Sequence, residues 1–193
     1  MGKRIHKTFR TRRERSRRGH RFEHWYVDNQ VYFITARCRD QFPALAGAEA
    51  KAVFWDRFDH YTREAGFVPW VVSLLDNHYH LLGYNRSGDA LKTMMQRLHG
   101  SVAKLVNDGL PERRPNFWRD QRGKEFFDGC IRNERQADRA WRYTLSQSVR
   151  HGICCDHHLY AHTREYLNQD RAIARAAQIR AFMPDVPYAR YEN

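Results

Sequence analysis

Two histidines one residue apart, His78 and His80, stand in the run Ser73-Leu74-Leu75-Asp76-Asn77-His78-Tyr79-His80-Leu81-Leu82. The apolar segment around them reads as a strand, in which alternate side chains share a face. Both imidazoles then point one way and Tyr79 points the other, under the sheet. Two neutral imidazole nitrogens converging on one point suit a divalent metal. Such an ion could equally activate a water or hold a phosphate, so the histidines alone leave the chemistry open.

A second set of candidates lies on a helix expected over residues 135–152. Ala137, Trp141, Leu145 and Val149 recur at steps of four and mark its core side. Tyr143, Gln147 and Arg150 fall on roughly the opposite side. Tyr143 and Gln147 are one turn apart, so a potential nucleophile stands beside a metal-competent amide. Periodicity alone also allows a surface tyrosine half covered by the C-terminal segment. A third group, Cys154-Cys155-Asp156-His157-His158 with His162, holds zinc-type ligands, but its spacing matches no common zinc module.

The elements that must position these residues follow from the patterning. Val31-Tyr32-Phe33-Ile34-Thr35, rich in β-branched and aromatic residues, centres a strand within 26–39. Residues 48–65 carry apolar positions at helical spacing, and Gly66 fits their C-terminal stop. A mostly apolar run over 67–75, with Pro69 marking an edge or bulge, leads through the Asp76-Asn77 turn into a strand from His78 to Tyr84. These two strands form a hairpin. Ser87 offers an N-cap to the clearest helix, on which Leu91, Met94, Met95, Leu98, Val102 and Leu105 make one stripe and which Gly109 ends. Residues 110–124, with Pro111, Pro115 and the pair Phe117-Trp118, read as a loop. A short strand over 125–131, the helix over 135–152 and a last helix over 167–182 complete the order β-α-β-β-α-β-α. The fold class is α+β. The first six elements match a ferredoxin-like split βαβ sandwich, an antiparallel sheet with helices on one face, followed by a C-terminal helical extension. The divisions expected are a basic arm at 1–22, a catalytic domain at 23–153 and the extension at 154–193.

Charge points to the partner. The 193 residues carry 34 Lys and Arg against 22 Asp and Glu, a net charge of +12. Residues 1–21 hold ten of those cations and one acid, Glu14, so the arm supplies +9. With so little to bury, it is expected to be disordered when free and to bind phosphates without reading sequence. A polyanion, nucleic acid before a membrane surface, is the implied partner. No apolar stretch is long enough to span a bilayer, and the N-terminus lacks the apolar centre of a secretory signal. Four cysteines with no CxxC pair read as reduced thiols of a cytoplasmic protein.

In four segments the chain resembles the HUH single-strand nucleases, and most closely the REP-associated tyrosine transposases. Val31-Tyr32-Phe33-Ile34-Thr35 resembles the first strand of that family, and Leu75-Asp76-Asn77-His78-Tyr79-His80-Leu81-Leu82 its histidine motif. Phe117-Trp118 resembles the aromatic pair before its last strand. Tyr143-Thr144-Leu145-Ser146-Gln147-Ser148-Val149-Arg150-His151-Gly152 resembles its tyrosine helix. The match runs in order from about residue 25 to residue 153. Gln147-Ser148 departs from the Asn-Pro usual there. A glutamine at this place is similar to the third metal ligand of related single-tyrosine transposases, and the missing proline removes a helix terminator, so a longer helix is expected.

The resemblance implies a division of labour. Tyr143 would be the nucleophile, and His78, His80 and Gln147 would hold Mg²⁺ or Mn²⁺. Two imidazoles favour Mn²⁺ on ligand preference. The substrate implied is single-stranded DNA beside a hairpin, such as a repetitive extragenic palindrome, cut and rejoined through a 5′-phosphotyrosine. Arg12, Arg13, Arg17 and Arg18 of the arm, with Lys92, Arg97, Lys104 and Arg150, are the candidate DNA-contacting cations. The family points to a bacterial, nucleoid-associated protein and to a monomer, with a dimer sharing tyrosine helices as the other arrangement. Two other functions fit the residues: a non-catalytic hairpin-binding protein, and a metal-dependent hydrolase in which Tyr143 is incidental.

Overall fold

A computed structural model describes residues 26–119 and 125–183; the basic arm, with Arg12, Arg13, Arg17 and Arg18, lies outside them. The elements are β1 (Gln30–Arg37), α1 (Ala48–Ala65), β2 (Val68–Leu74), β3 (His78–Asn85), α2 (Gly88–Asp108), β4 (Phe126–Cys130), α3 (Glu134–Leu145), α4 (Gln147–Arg150), β5 (Thr163–Glu165) and α5 (Gln169–Gln178). The strands pair antiparallel throughout, in the order β4-β1-β3-β2-β5. The α+β class and the β-α-β-β-α-β order are those expected from the sequence.

Alternation along β1 and β3 divides the molecule. Tyr32, Ile34, Ala36, Tyr79 and Leu81 point to the face covered by α1 and α2, where they join Phe54, Phe58, Leu91, Met94 and Leu98 in the main core. α1 ends as its sequence foretells: Gly66 takes φ 64°, and its N–H reaches the carbonyls of Thr62 and Arg63. Ser87 caps α2 by accepting from the Ala90 N–H. Pro69 does sit at a bulge, for the β2–β3 register shifts between Pro69 and Val71.

The opposite face carries a smaller apolar cluster at one end, in which Val31, Trp70, Val71, Leu82 and Ile131 meet Ala137 and Trp141 of α3 and Ala172 and Ala176 of α5. The C-terminal segment therefore covers part of the face that the sequence leaves open. It also adds β5, a strand absent from the sequence reading. Leu74 N–H donates to the His162 carbonyl at 2.9 Å and Tyr166 N–H to that of Trp70 at 2.9 Å. The chain then returns beneath β1, where Val31 N–H donates to the Ala181 carbonyl at 2.9 Å and Met183 N–H to that of Ile131 at 2.8 Å.

The tyrosine helix corrects one expectation. It does not run on through residue 152 but stops at Leu145, and a separate turn begins at Gln147. Side chains cause the break. Ser146 Oγ donates to the Tyr143 carbonyl at 3.0 Å and Gln147 Nε2 donates to the same oxygen at 2.7 Å, competing for an acceptor that a continuous helix would use in its ladder. The buried side turns with it: Thr144, Gln147 and Ser148 are enclosed, while Val149, expected on the core side, is exposed.

Candidate active site

His78 and His80 share the face opposite the main core, in register with Arg37 and Thr35 of β1. The hairpin turn that delivers them is fixed from several sides. Lys51, buried on α1, pairs with Asp76 at 2.6 Å. Leu45 N–H donates to the Asp76 carbonyl at 2.8 Å, and Cys38 N–H to that of Asn77 at 2.7 Å.

Each imidazole is held at its Nδ1. Asn77 Nδ2 donates to the Gln41 carbonyl at 2.8 Å, which leaves Asn77 Oδ1 facing His78 Nδ1 at 2.6 Å. An amide oxygen only accepts, so His78 carries its proton on Nδ1. Thr35 Oγ1 stands 2.7 Å from His80 Nδ1 and can accept in the same way. The Nε2 atoms of both rings are buried and have no hydrogen-bond partner. Burial pushes the imidazolium forms down, to about 4 for His78 and about 3 for His80; His78 adds to the effect at His80, Arg37 and His151 add to it at both rings, and the Gln147 side chain opposes it at His80. Burial therefore keeps both rings neutral; the Nδ1 proton of His78 leaves its Nε2 lone pair free for a metal ion, and Thr35 allows His80 the same tautomer. Orientation of a ligating histidine through its other nitrogen is the usual support of a metal site. The donor set fits a divalent cation.

α3 and α4 bring the other candidates to the same place. The Tyr143 ring stands edge-on to His80 at 5.1 Å between centroids, and edge-on to Phe33 at 5.9 Å. Phe33 in turn stacks on His80 at 5.8 Å. Gln147 is 1% exposed, whereas Tyr143 is 39% exposed, so the amide is enclosed and the phenol faces solvent. Arg150 lies over the Tyr143 ring at 5.1 Å, and the His151 ring is 5.0 Å from that of His78. The break at Ser146 matters here. Just past it Gln147 lies enclosed, its Nε2 bonded to the Tyr143 carbonyl, while the Tyr143 ring stays half-exposed.

Other sequence candidates fall elsewhere. Lys92, Arg97 and Lys104 are exposed on α2, behind the sheet, and Arg97 pairs with Glu64. Asp156, His157 and His158 present ligand atoms within 4.8 Å of one another and could hold a metal ion, but this group sits on a surface turn where Asp156 Oδ1 already accepts from the His158 N–H at 3.0 Å. Thr35, Arg37, Asn77 and His151 were not singled out as site residues in the sequence. Strand alternation could have found Thr35 and Arg37, given the register.

A solved structure of a REP-associated tyrosine transposase bound to a REP hairpin shares this architecture. Its TM-score is 0.62 at 16% identity, over 75% of this chain and 81% of that one. The chain has the fold of a REP-associated tyrosine transposase. At this identity the likeness concerns the fold. A transposase candidate from Deinococcus radiodurans R1 is similar over 69% of this chain and 92% of that one, at 14% identity and a TM-score of 0.42. No family model and no curated protein matches the chain. Within the transposase fold, then, the roles of single residues rest on the geometry above.

Proposed function

We propose that the chain is a metal-dependent transposase or endonuclease that cuts and rejoins single-stranded DNA beside hairpins, with Tyr143 as nucleophile. One observation carries the reading: an exposed phenol abuts a buried pair of neutral imidazoles whose two Nε2 atoms have no partner. A water-activating hydrolase does not require a tyrosine there, whereas covalent strand transfer requires a nucleophile at that place. The solved transposase of the same fold is described as bound to a REP hairpin, which supports a hairpin substrate for this chain as well.

The chemistry balances without water. Tyr143 Oη attacks a backbone phosphorus, a tyrosyl O–P bond forms, and the P–O3′ bond breaks to leave a 5′-phosphotyrosine and a free 3′-OH. The phenol proton is lost to solvent, and the departing 3′ oxygen takes one up. Bond energy is retained, so a 3′-OH from another strand reverses the step and joins the ends. His78, His80 and Gln147 would hold Mg²⁺ or Mn²⁺. When bound, that ion supplies polarisation of the phosphate and neutralisation of developing charge. Asn77 holds His78 in the required tautomer and Thr35 can accept from His80 to give the same one, Phe33 sets the angle between His80 and Tyr143, and Arg150 steadies the tyrosine ring. Among the described residues no helix is long and apolar enough to cross a membrane.

The test is a denaturing gel of protein with a labelled hairpin-flanked single strand and Mn²⁺. A covalent protein–DNA adduct is expected, abolished by EDTA and by Tyr143→Phe. Cleavage that survives Tyr143→Phe would sink the nucleophile assignment in favour of hydrolysis, and binding with no cleavage would leave a hairpin-binding protein.

A further inference from the structure

One exposed aromatic shares the site's face and has no role in the chemistry above. Phe127 of β4 is 48% exposed, whereas its neighbour Phe126 points into the main core. Register places Phe127 opposite Thr35, and Thr35 opposite His80, so the three lie on one rung of the sheet with their side chains on one face. Two strand spacings separate Phe127 from His80, about 10 Å. Gly129, two residues on and on the same face, lets the Phe127 ring lie down along the strand: a Cβ at Gly129 would meet ring atoms Cε1 and Cζ at 3.4 Å. One side of the ring is thus backed by β4 and the other faces outward. Gly129 is itself opposite Phe33, whose ring touches both His80 and Tyr143.

A lone exposed aromatic is ordinary; its place decides here. The rung that begins at Phe127 passes the imidazole support at Thr35 and ends at the metal-competent His80. The same face carries Arg37, half-buried opposite His78 and without an ion pair among the described residues, and Arg150 above Tyr143. An outward ring beside cations on a chain of net charge +12 complements a strand with anionic phosphates and stackable bases.

We propose that Phe127 is the stacking platform for an unpaired base next to the scissile phosphate, a base subsite on the open edge of the active face. The inference rests on the single-strand reading of the site, and a binding measurement separates the two. In the full chain carrying Tyr143→Phe, which prevents turnover, the affinity for a labelled single-stranded oligothymidylate is compared with that for the same strand made abasic. Phe127→Leu should weaken binding of the base-containing strand about tenfold. It should leave the abasic strand unaffected, and Phe127→Trp should restore affinity. Equal binding by Phe127→Leu and its parent, or an equal loss on both strands, overturns the subsite. Base-dependent binding through Phe127, together with a chain keeping Tyr143 that forms no tyrosyl adduct on a hairpin-flanked strand with Mn²⁺, would leave the subsite standing and defeat the transposase reading.

Discussion

Tyr79 and His80 are neighbours in β3, yet they belong to different environments. Tyr79 points into the main core, is fully buried, donates or accepts at His99 Nε2 over 2.8 Å, and meets Phe54 and Trp118. His80 points to the other face, is nearly as enclosed, and has an Nε2 with no partner. One face is close-packed around aromatic rings; the other is enclosed but brings two histidines with unpartnered Nε2 atoms beside a half-exposed tyrosine. Burial by itself therefore does not identify core. What marks the second face is a neighbouring pair of buried polar atoms without partners, because such a pair costs free energy unless a ligand takes it.

The contrast can be broken by substitutions on either side. The largest effect expected is from Tyr143→Phe, which should lower strand cleavage on the order of a thousandfold or more while leaving the melting temperature in place, since one exposed hydroxyl is removed. A large fall in stability would mean that the tyrosine belongs to the core. Next, Phe58→Ala on the packed face should cost about 3–5 kcal/mol by chemical denaturation. The Mn²⁺ affinity of the fraction still folded should be unchanged; a parallel loss of metal binding would show that the faces are not independent. Third, His80→Leu should weaken Mn²⁺ binding on the order of 100-fold by titration calorimetry, with stability kept within about 1.5 kcal/mol because volume is retained and a polar atom leaves the interior. Strong destabilisation would place His80 with the core residues. Smallest, Asn77→Ala frees His78 to change tautomer and should weaken Mn²⁺ about tenfold; no change would mean that the Asn77–His78 contact does not set the lone pair.

The sequence made some of this legible and hid the rest for physical reasons. The bounds of α1 and α2, the hairpin turn and the HxH strand follow from local signals, namely apolar period, caps and a two-residue turn. β5 does not. Thr163-Arg164-Glu165 has no alternation of its own and is a strand because the edge of β2 offers it unpaired N–H and C=O groups. The break at Ser146 is not legible, because the absent proline points to continuity while serine and glutamine side chains take up the Tyr143 carbonyl. Tyr143 and Gln147 are readable as a pair, but their meeting with His80 depends on how the tyrosine helix packs across the sheet. Thr35 and Asn77 could not be assigned their supporting roles, since one depends on cross-strand register and the other on a carbonyl at Gln41 across the turn.

The return of residues 181–183 beneath β1 has a consequence for timing. Val31, near the start of β1, and Ile131, just past the end of β4, already share a backbone bond, and Ala181 and Met183 take up the remaining Val31 N–H and Ile131 carbonyl. A chain emerging from the ribosome at roughly 5–20 residues per second completes its histidine hairpin well before this clasp exists. The active face is closed last, so a nascent or prematurely terminated chain would carry the histidines and the tyrosine without the scaffold that holds them together.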